Sequence, residues 1–240
     1  MNQPPFPLAA RLLLVRHGES AWNLSQRFTG WADVGMTATG VLQMQELGRH
    51  LHHHGVTIDT LFCSALRRCR ESASALLAAA GSAQTPVLLD WRLNERHYGA
   101  LTGLSKPAAV AQHGCAAVRA WRRSYREVPP ALTAGLADAT IWHAADAALP
   151  LPRSESLEHT VLRVAEAWTQ RIQPALHAGA TVAVLGHGNS LRGLAMLLEG
   201  LDETQVAALE IANGELRTYA WPASAPQIWR PGTGLPSQVL

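Results

Sequence analysis

Two stretches of this chain decide its fold, and the first reads Leu12-Leu13-Leu14-Val15-Arg16-His17-Gly18-Glu19-Ser20. The second repeats its plan of an apolar strand, a His-Gly pair and a small polar residue that begins a helix, and reads Val182-Ala183-Val184-Leu185-Gly186-His187-Gly188-Asn189-Ser190. In open α/β sheets, ligands bind beyond the carboxyl ends of the strands, where helix N-termini favour anions. A single histidine at such a position is typical of a turn. Two in matching contexts predict a functional site at one edge of a sheet.

The paired histidines suit phosphoryl transfer. A neutral imidazole is a competent nucleophile at about pH 7, and the phosphoryl group that it attacks needs cations around its oxygens. Arg16 adjoins His17 and supplies one such cation. The pattern therefore indicates a phosphorylated ligand at this edge of the sheet.

Strand and helix patterns alternate along the chain, which favours an α/β fold with a mostly parallel, doubly wound sheet flanked by helices. We expect a single domain over residues 1–240, with predicted elements from Thr37 to Gly55 (helix), at Leu61-Phe62 (strand), over 66–80 (helix) and at Val87-Leu88-Leu89 (strand). A further helix is predicted to begin near Ser154 and to face the core with Leu157, Val161, Val164, Trp168, Ile172 and Leu176.

The periodicity weakens over residues 93–153, where prolines, glycines, basic residues and aromatic residues cluster. We interpret this segment as an irregular or helical insertion over the carboxyl edge of the strands, where it supplies substrate contacts and excludes water. The alternative is a loose surface subdomain with solvated charges.

Composition excludes several classes of function. A net charge of +2 over 240 residues does not indicate binding to nucleic acid or to a membrane. Three cysteines form no metal-ligand spacing and leave an odd number, which indicates reduced thiols and a cytoplasmic protein. Gly81 and Pro86 interrupt the apolar run that begins at Ser72, so no membrane span is predicted. His52-His53-His54 is interpreted as a solvated helix end rather than a metal site.

Several longer blocks accompany the two histidines: Phe28-Thr29-Gly30-Trp31, Ser64-Ala65-Leu66-Arg67-Arg68, Asn94-Glu95-Arg96-His97-Tyr98-Gly99, Trp121-Arg122-Arg123 and Glu155-Ser156-Leu157. With these blocks, in this order from about Arg11 to Tyr219, the chain resembles the histidine phosphatase superfamily. Within that superfamily it is most similar to the 2,3-bisphosphoglycerate-dependent phosphoglycerate mutases, since the Asn-Glu-Arg-His-Tyr-Gly and Trp-Arg-Arg blocks are specific to that branch.

The resemblance implies roles for individual residues. His17 matches the nucleophile that becomes phosphorylated, and Glu95 matches the carboxylate that moves a proton to or from the substrate hydroxyl. Arg16, Arg68 and His187 match the residues around the transferring phosphoryl group. The implied substrate-binding residues are Ser20, Asn23, Thr29, Gly30, Tyr98, Lys106, Arg122, Arg123, Gly188 and Asn189. A buried ion pair within Asn94-Glu95-Arg96 is the alternative explanation of that block.

The implied reaction interconverts 3-phosphoglycerate and 2-phosphoglycerate, in glycolysis and gluconeogenesis, through a phosphohistidine. The resemblance implies 2,3-bisphosphoglycerate as the priming cofactor, no metal, small phosphorylated three-carbon acids as ligands, and a homo-oligomer that is a dimer or a tetramer. One alternative is a histidine phosphatase that hydrolyses phosphoglycerates or another small phosphoester. A second alternative is a non-catalytic phosphometabolite-binding module, although the intact His17, Glu95 and His187 argue against it.

Departures from the family pattern bear on the exclusion of water. The segment around residues 139–150 lacks the family's Pro-Gly and acidic-Arg-Tyr elements and is shorter, and Asn213-Gly214 begins a stretch that replaces Thr-Gly-x-Pro-Leu-Val-Tyr. Residues 221–240 form a divergent tail without the family's lysine-rich sequence, which is thought to cover the site. We therefore expect more turnovers to end in free phosphate than in a mutase with a complete tail.

Overall fold

Six strands form one sheet in the computed structural model, which describes residues 11–132, 152–222 and 225–232. They are β1 (Arg11–Arg16), β2 (Thr60–Cys63), β3 (Val87–Leu89), β4 (Val182–Gly186), β5 (Leu216–Ala220) and β6 (Gln227–Trp229). The order across the sheet is β3-β2-β4-β1-β5-β6. The pairs from β3 to β1 are parallel, whereas β5 pairs antiparallel with both β1 and β6. The predicted α/β class with a mostly parallel sheet is confirmed.

The helices of the described residues are α1 (Ala21–Leu24), α2 (Ala38–His53), α3 (Arg67–Ala79), α4 (Lys106–His113), α5 (Cys115–Arg123), α6 (Leu157–Ala167), α7 (Gln173–His177), α8 (Gly188–Glu199) and α9 (Glu203–Ala208). Short 3₁₀ turns lie at Trp91–Leu93 and Gly99–Leu101. Thr37 caps α2 as predicted, because its Oγ1 accepts a hydrogen bond from the Gly40 amide at 3.1 Å.

The helix predicted near Ser154 begins later and is divided. Ser156 caps it, with Oγ accepting from the His159 amide at 3.1 Å, whereas Ser154 Oγ donates to the Pro129 carbonyl at 2.8 Å. After α6 the chain makes one π-helical turn, Trp168–Ile172, before α7. Pro174 near the start of α7 has no amide hydrogen to donate into the preceding turn, which gives a physical reason for the change in helical pitch.

Helices cover both faces of the sheet. Alternate β1 side chains point in opposite directions, so β1 contributes to a core on each face. Leu13 and Val15 pack into a core with residues of α2 and α3. Leu12 and Leu14 pack on the other face with residues of α6 and α8. The predicted core positions of the divided helix, Leu157, Val161, Val164, Trp168, Ile172 and Leu176, are all buried. The doubly wound arrangement is therefore confirmed.

The described part of the predicted insertion is helical where it is regular. α4 and α5 enclose a small apolar cluster of Phe28, Leu101, Ala109 and Val118, so this part is packed rather than loose. The expectations for residues 139–150, and for the tail at 223–224 and 233–240, lie outside the described residues. No helix of the described ranges is both long and apolar enough to cross a membrane.

Candidate active site

The two His-Gly turns meet at the carboxyl edge of the sheet. β1 and β4 are parallel neighbours with Arg16 opposite Gly186, so the next residue of each strand leaves the sheet at the same place. The His17 and His187 ring centroids lie 4.9 Å apart in an edge-to-face arrangement, and both side chains are buried. The structure therefore brings together the two histidines that the repeated motif singled out.

His17 is held by a hydrogen bond that fixes which of its ring nitrogens carries the proton. Its Nδ1 lies 2.7 Å from the Gly18 carbonyl oxygen. A carbonyl oxygen can only accept, so Nδ1 carries the proton and Nε2 carries the lone pair. Burial, with the nearby positive charges of Arg68 and Arg16, holds the pKa of His17 well below its usual value. The imidazole is therefore neutral at about pH 7, which is the form required of a nucleophile.

Two arginines flank this imidazole. Arg68 is buried and donates to the Gly30 and Ala32 carbonyl oxygens, both at 2.9 Å, while Arg16 donates from Nη1 to the Ile211 carbonyl at 2.5 Å. Arg16 Nε is buried without a hydrogen-bond partner among the described residues. Burial lowers the pKa of both groups, yet arginine remains protonated in proteins. Both can therefore stabilise charge on a phosphoryl group.

Glu95 is fixed by backbone amides at the N-terminus of α8. Its Oε1 accepts from the Arg96 amide at 2.8 Å and from the Asn189 amide at 3.1 Å. A Cβ at Gly188 would lie 3.7 Å from the Arg16 guanidinium carbon and 3.8 Å from Glu95 Oε2, so this glycine marks where the two side chains approach each other. Oε2 takes no part in these two hydrogen bonds.

The alternative ion pair between Glu95 and Arg96 is not formed among the described side chains. The Arg96 guanidinium donates to the Tyr98 hydroxyl at 3.1 Å and lies over the Tyr98 ring, 4.7 Å from its centroid. Although burial raises the pKa of Tyr98, the Arg96 charge and hydrogen bonds lower it by more. Among the side chains that the structure describes, Glu95 therefore has no ion-pair partner, and it lines the adjacent cavity.

A cavity of about 200 Å³ lies beside these residues. It is lined by most of the predicted binding residues: Asn23, Thr29, Gly30, Tyr98, Lys106, Arg122, Arg123, Gly188 and Asn189, together with Arg16 and Glu95. His17, Arg68 and His187 are buried and do not line it. Ser20 does not line it either, because its hydroxyl caps α1 and donates to Asn23 Oδ1 at 3.0 Å.

The lining of this pocket is strongly cationic. Besides the predicted residues it contains Arg27, Arg192 and Glu210, which sequence reasoning missed. Six lining residues are basic and two are acidic, so the pocket suits a small ligand with several negative charges. Burial and the neighbouring Arg122 lower the pKa of Lys106, and burial lowers the pKa of Arg192 to about 10. Arg192 therefore remains protonated at about pH 7.

His187 is oriented by a chain of buried polar groups. Its Nε2 lies 2.8 Å from Ser64 Oγ, and Ser64 Oγ lies 2.8 Å from Asn94 Oδ1. The Ala65 amide also donates to Asn94 Oδ1, which identifies that atom as oxygen. Since the single Ser64 proton goes to Asn94, Nε2 of His187 donates to Ser64 and carries a proton. Burial and the charge of Arg68 hold the pKa of His187 well below its usual value.

Arg163 anchors the segment that carries Glu95, and sequence reasoning missed it. Its guanidinium pairs with Glu155 at 2.7 and 2.9 Å. It also donates to the carbonyl oxygens of Arg92, Asn94 and Glu95 at 2.6, 2.8 and 2.9 Å. A signal existed in the sequence, because Arg163 interrupts the apolar spacing of α6 with a charge on the buried face.

Asn213 is a second residue that the sequence did not assign to the site. Its Nδ2 donates to the His17 carbonyl at 3.0 Å and to Asn23 Oδ1 at 3.2 Å. The signal was the departure from the family pattern at Asn213-Gly214, which lies directly beside the candidate nucleophile.

No cluster of three or more histidine, cysteine or carboxylate side chains suited to a metal occurs in the described ranges.

Three of the buried histidines, His17, His97 and His187, predict acid sensitivity. Burial lowers the folded-state pKa of His17, His97 and His187. Below the unfolded pKa of about 6.5, the unfolded chain therefore binds protons that the native state does not, and stability falls as pH falls. We expect each to reduce the free energy of unfolding by up to about 1.4 kcal/mol per pH unit. Above about pH 7 the three have no such effect.

Urea unfolding at about pH 7.5 and about pH 5.5, in phosphate-free buffer, measures this loss. The loss should be smaller in His187→Asn than in the wild type, whereas His177→Asn, at an exposed position of α7, should leave it unchanged. An equal loss of stability in the wild type and in His187→Asn would contradict the assignment of this loss to histidine protonation.

Comparison with known proteins adds to this geometry. Residues 12–140 and 134–232 match the histidine phosphatase superfamily (branch 1). A protein of Sphingopyxis alaskensis named 2,3-bisphosphoglycerate-dependent phosphoglycerate mutase is 43% identical over 213 residues, which cover 87% of this chain and 92% of that protein. A protein of the same name from Novosphingobium aromaticivorans is 41% identical over 220 residues, which cover 92% of this chain and 96% of that protein.

Solved structures share the fold at lower identity. Mycobacterial glucosyl-3-phosphoglycerate phosphatase, in complex with VO3, has a TM-score of 0.67 and 21% identity, covering 92% of this chain and 98% of that chain. Bacillus stearothermophilus YhfR has a TM-score of 0.70 and 22% identity, covering 93% of this chain and 97% of that chain. These similarities extend the fold assignment to nearly the whole length of the chain.

Proposed function

The chain belongs to the histidine phosphatase superfamily, and from this premise we propose that it is a phosphoglycerate mutase primed by 2,3-bisphosphoglycerate. One observation carries the proposal beyond the superfamily. The pocket beside His17 has a cationic lining that extends from Arg16 to Lys106, Arg122 and Arg123, which is more positive charge than a single phosphoryl group requires. A three-carbon acid with one or two phosphates matches that charge. The names of the relatives that are 41% and 43% identical support the same substrate class.

In the proposed reaction His17 Nε2 attacks the phosphorus atom of bound 2,3-bisphosphoglycerate. The nitrogen–phosphorus bond forms as the ester oxygen leaves, and Arg16 and Arg68 hold the equatorial oxygens. Glu95, whose Oε1 is held by backbone amides, gives a proton to the departing oxygen through Oε2. This transfer leaves a monophosphoglycerate, which departs from the phosphohistidine. When 3-phosphoglycerate then binds, its 2-hydroxyl gives its proton to Glu95 and takes the phosphoryl group, which breaks the nitrogen–phosphorus bond and forms 2,3-bisphosphoglycerate. Return of the 3-phosphoryl group to His17 leaves 2-phosphoglycerate and completes the isomerisation.

The outer part of the pocket holds the rest of the substrate. We assign the carboxylate and the second phosphate to Tyr98, Lys106, Arg122 and Arg123, because guanidinium and ammonium groups match such anions. The pocket lining also contains neutral hydrogen-bonding groups, those of Asn23, Thr29, Gly30 and Asn189. Ser20 takes an indirect part, since it positions Asn23.

A phosphatase of phosphoglycerates or another small phosphoester is the second candidate. It needs the same phosphohistidine, with water as the final acceptor. Two observations favour it: phosphatases are among the similar structures, and Asn213, at a position where the sequence departs from the mutase pattern, donates a hydrogen bond to the His17 carbonyl.

The homo-oligomer and the cytoplasmic location remain predictions from the sequence.

One assay separates the two candidates and tests the nucleophile. Incubation with 2,3-bisphosphoglycerate is expected to give an acid-labile, base-stable phosphate on His17, located by mass spectrometry. With 3-phosphoglycerate and a trace of the bisphosphate, 2-phosphoglycerate should form faster than free phosphate. The hydrolysed fraction should nonetheless exceed that of a mutase with a lysine-rich tail. Free phosphate as the main product would establish the phosphatase, and a phosphate on another residue would refute the mechanism.

A further inference from the structure

One carboxylate that lines the cationic pocket, that of Glu210, has no role in the proposed reaction. Glu210 lies just after α9, lines the pocket, and its Oε1 accepts a hydrogen bond from Arg123 Nη2. The Glu210 side chain is 70% exposed and that of Arg123 is 39% exposed, so neither is locked by packing. The hydrogen bond and the charge of Arg123 hold the pKa of Glu210 below its usual value, so the carboxylate is ionised at about pH 7.

This contact has a consequence for ligand binding. Arg123 can donate to Glu210 or to an anionic ligand, and the Glu210 charge also repels any anion in the same pocket. Exposed ion pairs are weak, so an arriving carboxylate or phosphate can displace Glu210. The other lining carboxylate differs, because Glu95 is held by two backbone amides and cannot exchange in this way.

We propose that Glu210 is an internal counter-ion of Arg123 that competes with the anionic ligand and so sets the affinity and selectivity of the pocket. The inference rests on the proposed function in one respect, the use of 3-phosphoglycerate as the ligand. A ligand with one anionic group can bind at Arg16 and leave Glu210 on Arg123, so it meets only the repulsion of the Glu210 charge. A ligand whose second anionic group reaches Arg123 must also displace Glu210. Glu210 therefore lowers the affinity of the pocket most for ligands that use Arg123.

The chain offers a matched control. Arg126 and Glu203 form a second exposed ion pair between the segment after α5 and the start of α9. Neither residue lines the pocket. Glu203→Gln therefore removes the same charge and the same kind of contact from the same pair of segments without altering the pocket.

Calorimetric titration of the full chain tests the proposal with 3-phosphoglycerate and, separately, with inorganic phosphate. Glu210→Gln is expected to lower the Kd of 3-phosphoglycerate about threefold to tenfold at low ionic strength. The Kd of inorganic phosphate should also fall, but by a smaller factor, because a single anionic group competes less with Glu210 for Arg123. The gain should shrink at about 0.5 M salt, where screening is strong. In an Arg123→Ala background the gain should also shrink, since the competition is gone.

The outcomes are distinguishable. Glu203→Gln should leave both Kd values within about 1.5-fold of the wild type. Weaker binding in Glu210→Gln, an equal gain in Glu203→Gln, or a gain that persists in the Arg123→Ala background would each overturn the counter-ion role. If the wild type binds inorganic phosphate but not 3-phosphoglycerate, the proposed function fails, and the phosphate titrations of Glu210→Gln still decide the role of Glu210.

Discussion

Turnover is expected to fall by more than about a thousandfold in His17→Ala, while the affinity for 2,3-bisphosphoglycerate changes by less than about tenfold. His17 presents its Nε2 lone pair because Nδ1 is bound to the Gly18 carbonyl, and no other imidazole of the site is arranged in this way. His187 cannot substitute, since its Nε2 donates to Ser64. The charge that binds the ligand remains, because Arg16, Lys106 and the other lining cations are untouched. Calorimetry measures the binding, and a coupled assay measures the turnover.

Arg123→Ala is the matched comparison for this variant. It removes charge from the outer pocket and leaves His17 intact, so it should weaken binding while slow phosphorylation of His17 persists. Rapid-mixing kinetics would separate the two steps. If both variants showed the same defect in binding and in phosphorylation, the division between the nucleophile and the outer pocket would be wrong.

The second large effect is on stability. Arg163→Met is expected to reduce the free energy of unfolding by about 3–5 kcal/mol, because it leaves Glu155 buried without its cation. The carbonyl oxygens of Arg92 and Asn94 also lose their donor, and the Glu95 carbonyl keeps only the hydrogen bond from Trp31 Nε1. Turnover of the folded fraction should fall as well, since Glu95 loses one of the two hydrogen bonds that orient its backbone carbonyl. Urea unfolding measures the first effect and a steady-state assay the second.

Two further variants show whether the effect belongs to the buried network. Arg126→Met breaks an exposed ion pair and should change the free energy of unfolding by less than about 1 kcal/mol, which is the usual range for exposed ion pairs. Replacing Glu155 and Arg163 together by apolar residues should recover part of the loss, because no charge is then left buried alone. A loss below about 1 kcal/mol in Arg163→Met would contradict the anchoring role.

Much of the candidate site could be predicted from local patterns in the sequence. The apolar run from Leu12 to Val15 and the His-Gly turns after two strands predicted that His17 and His187 would meet, since parallel neighbours end at the same edge. Helix caps such as Thr37 are equally local. The start predicted near Ser154 was wrong, because two serines compete there and the contact with Pro129 decides between them.

The sequence by itself determined the doubly wound sheet, the placement of the two histidines and the family. Apolar strand runs, helix caps and motif blocks are patterns among residues that are close in the sequence. Only the tertiary structure decided which polar residues serve the site from a distance. Asn213 contacts His17 across 196 residues, Arg163 holds Glu95 across 68, and Glu210 meets Arg123 across 87. The energy of a hydrogen bond or an ion pair depends on distance in space and on burial, and neither quantity is a function of sequence separation.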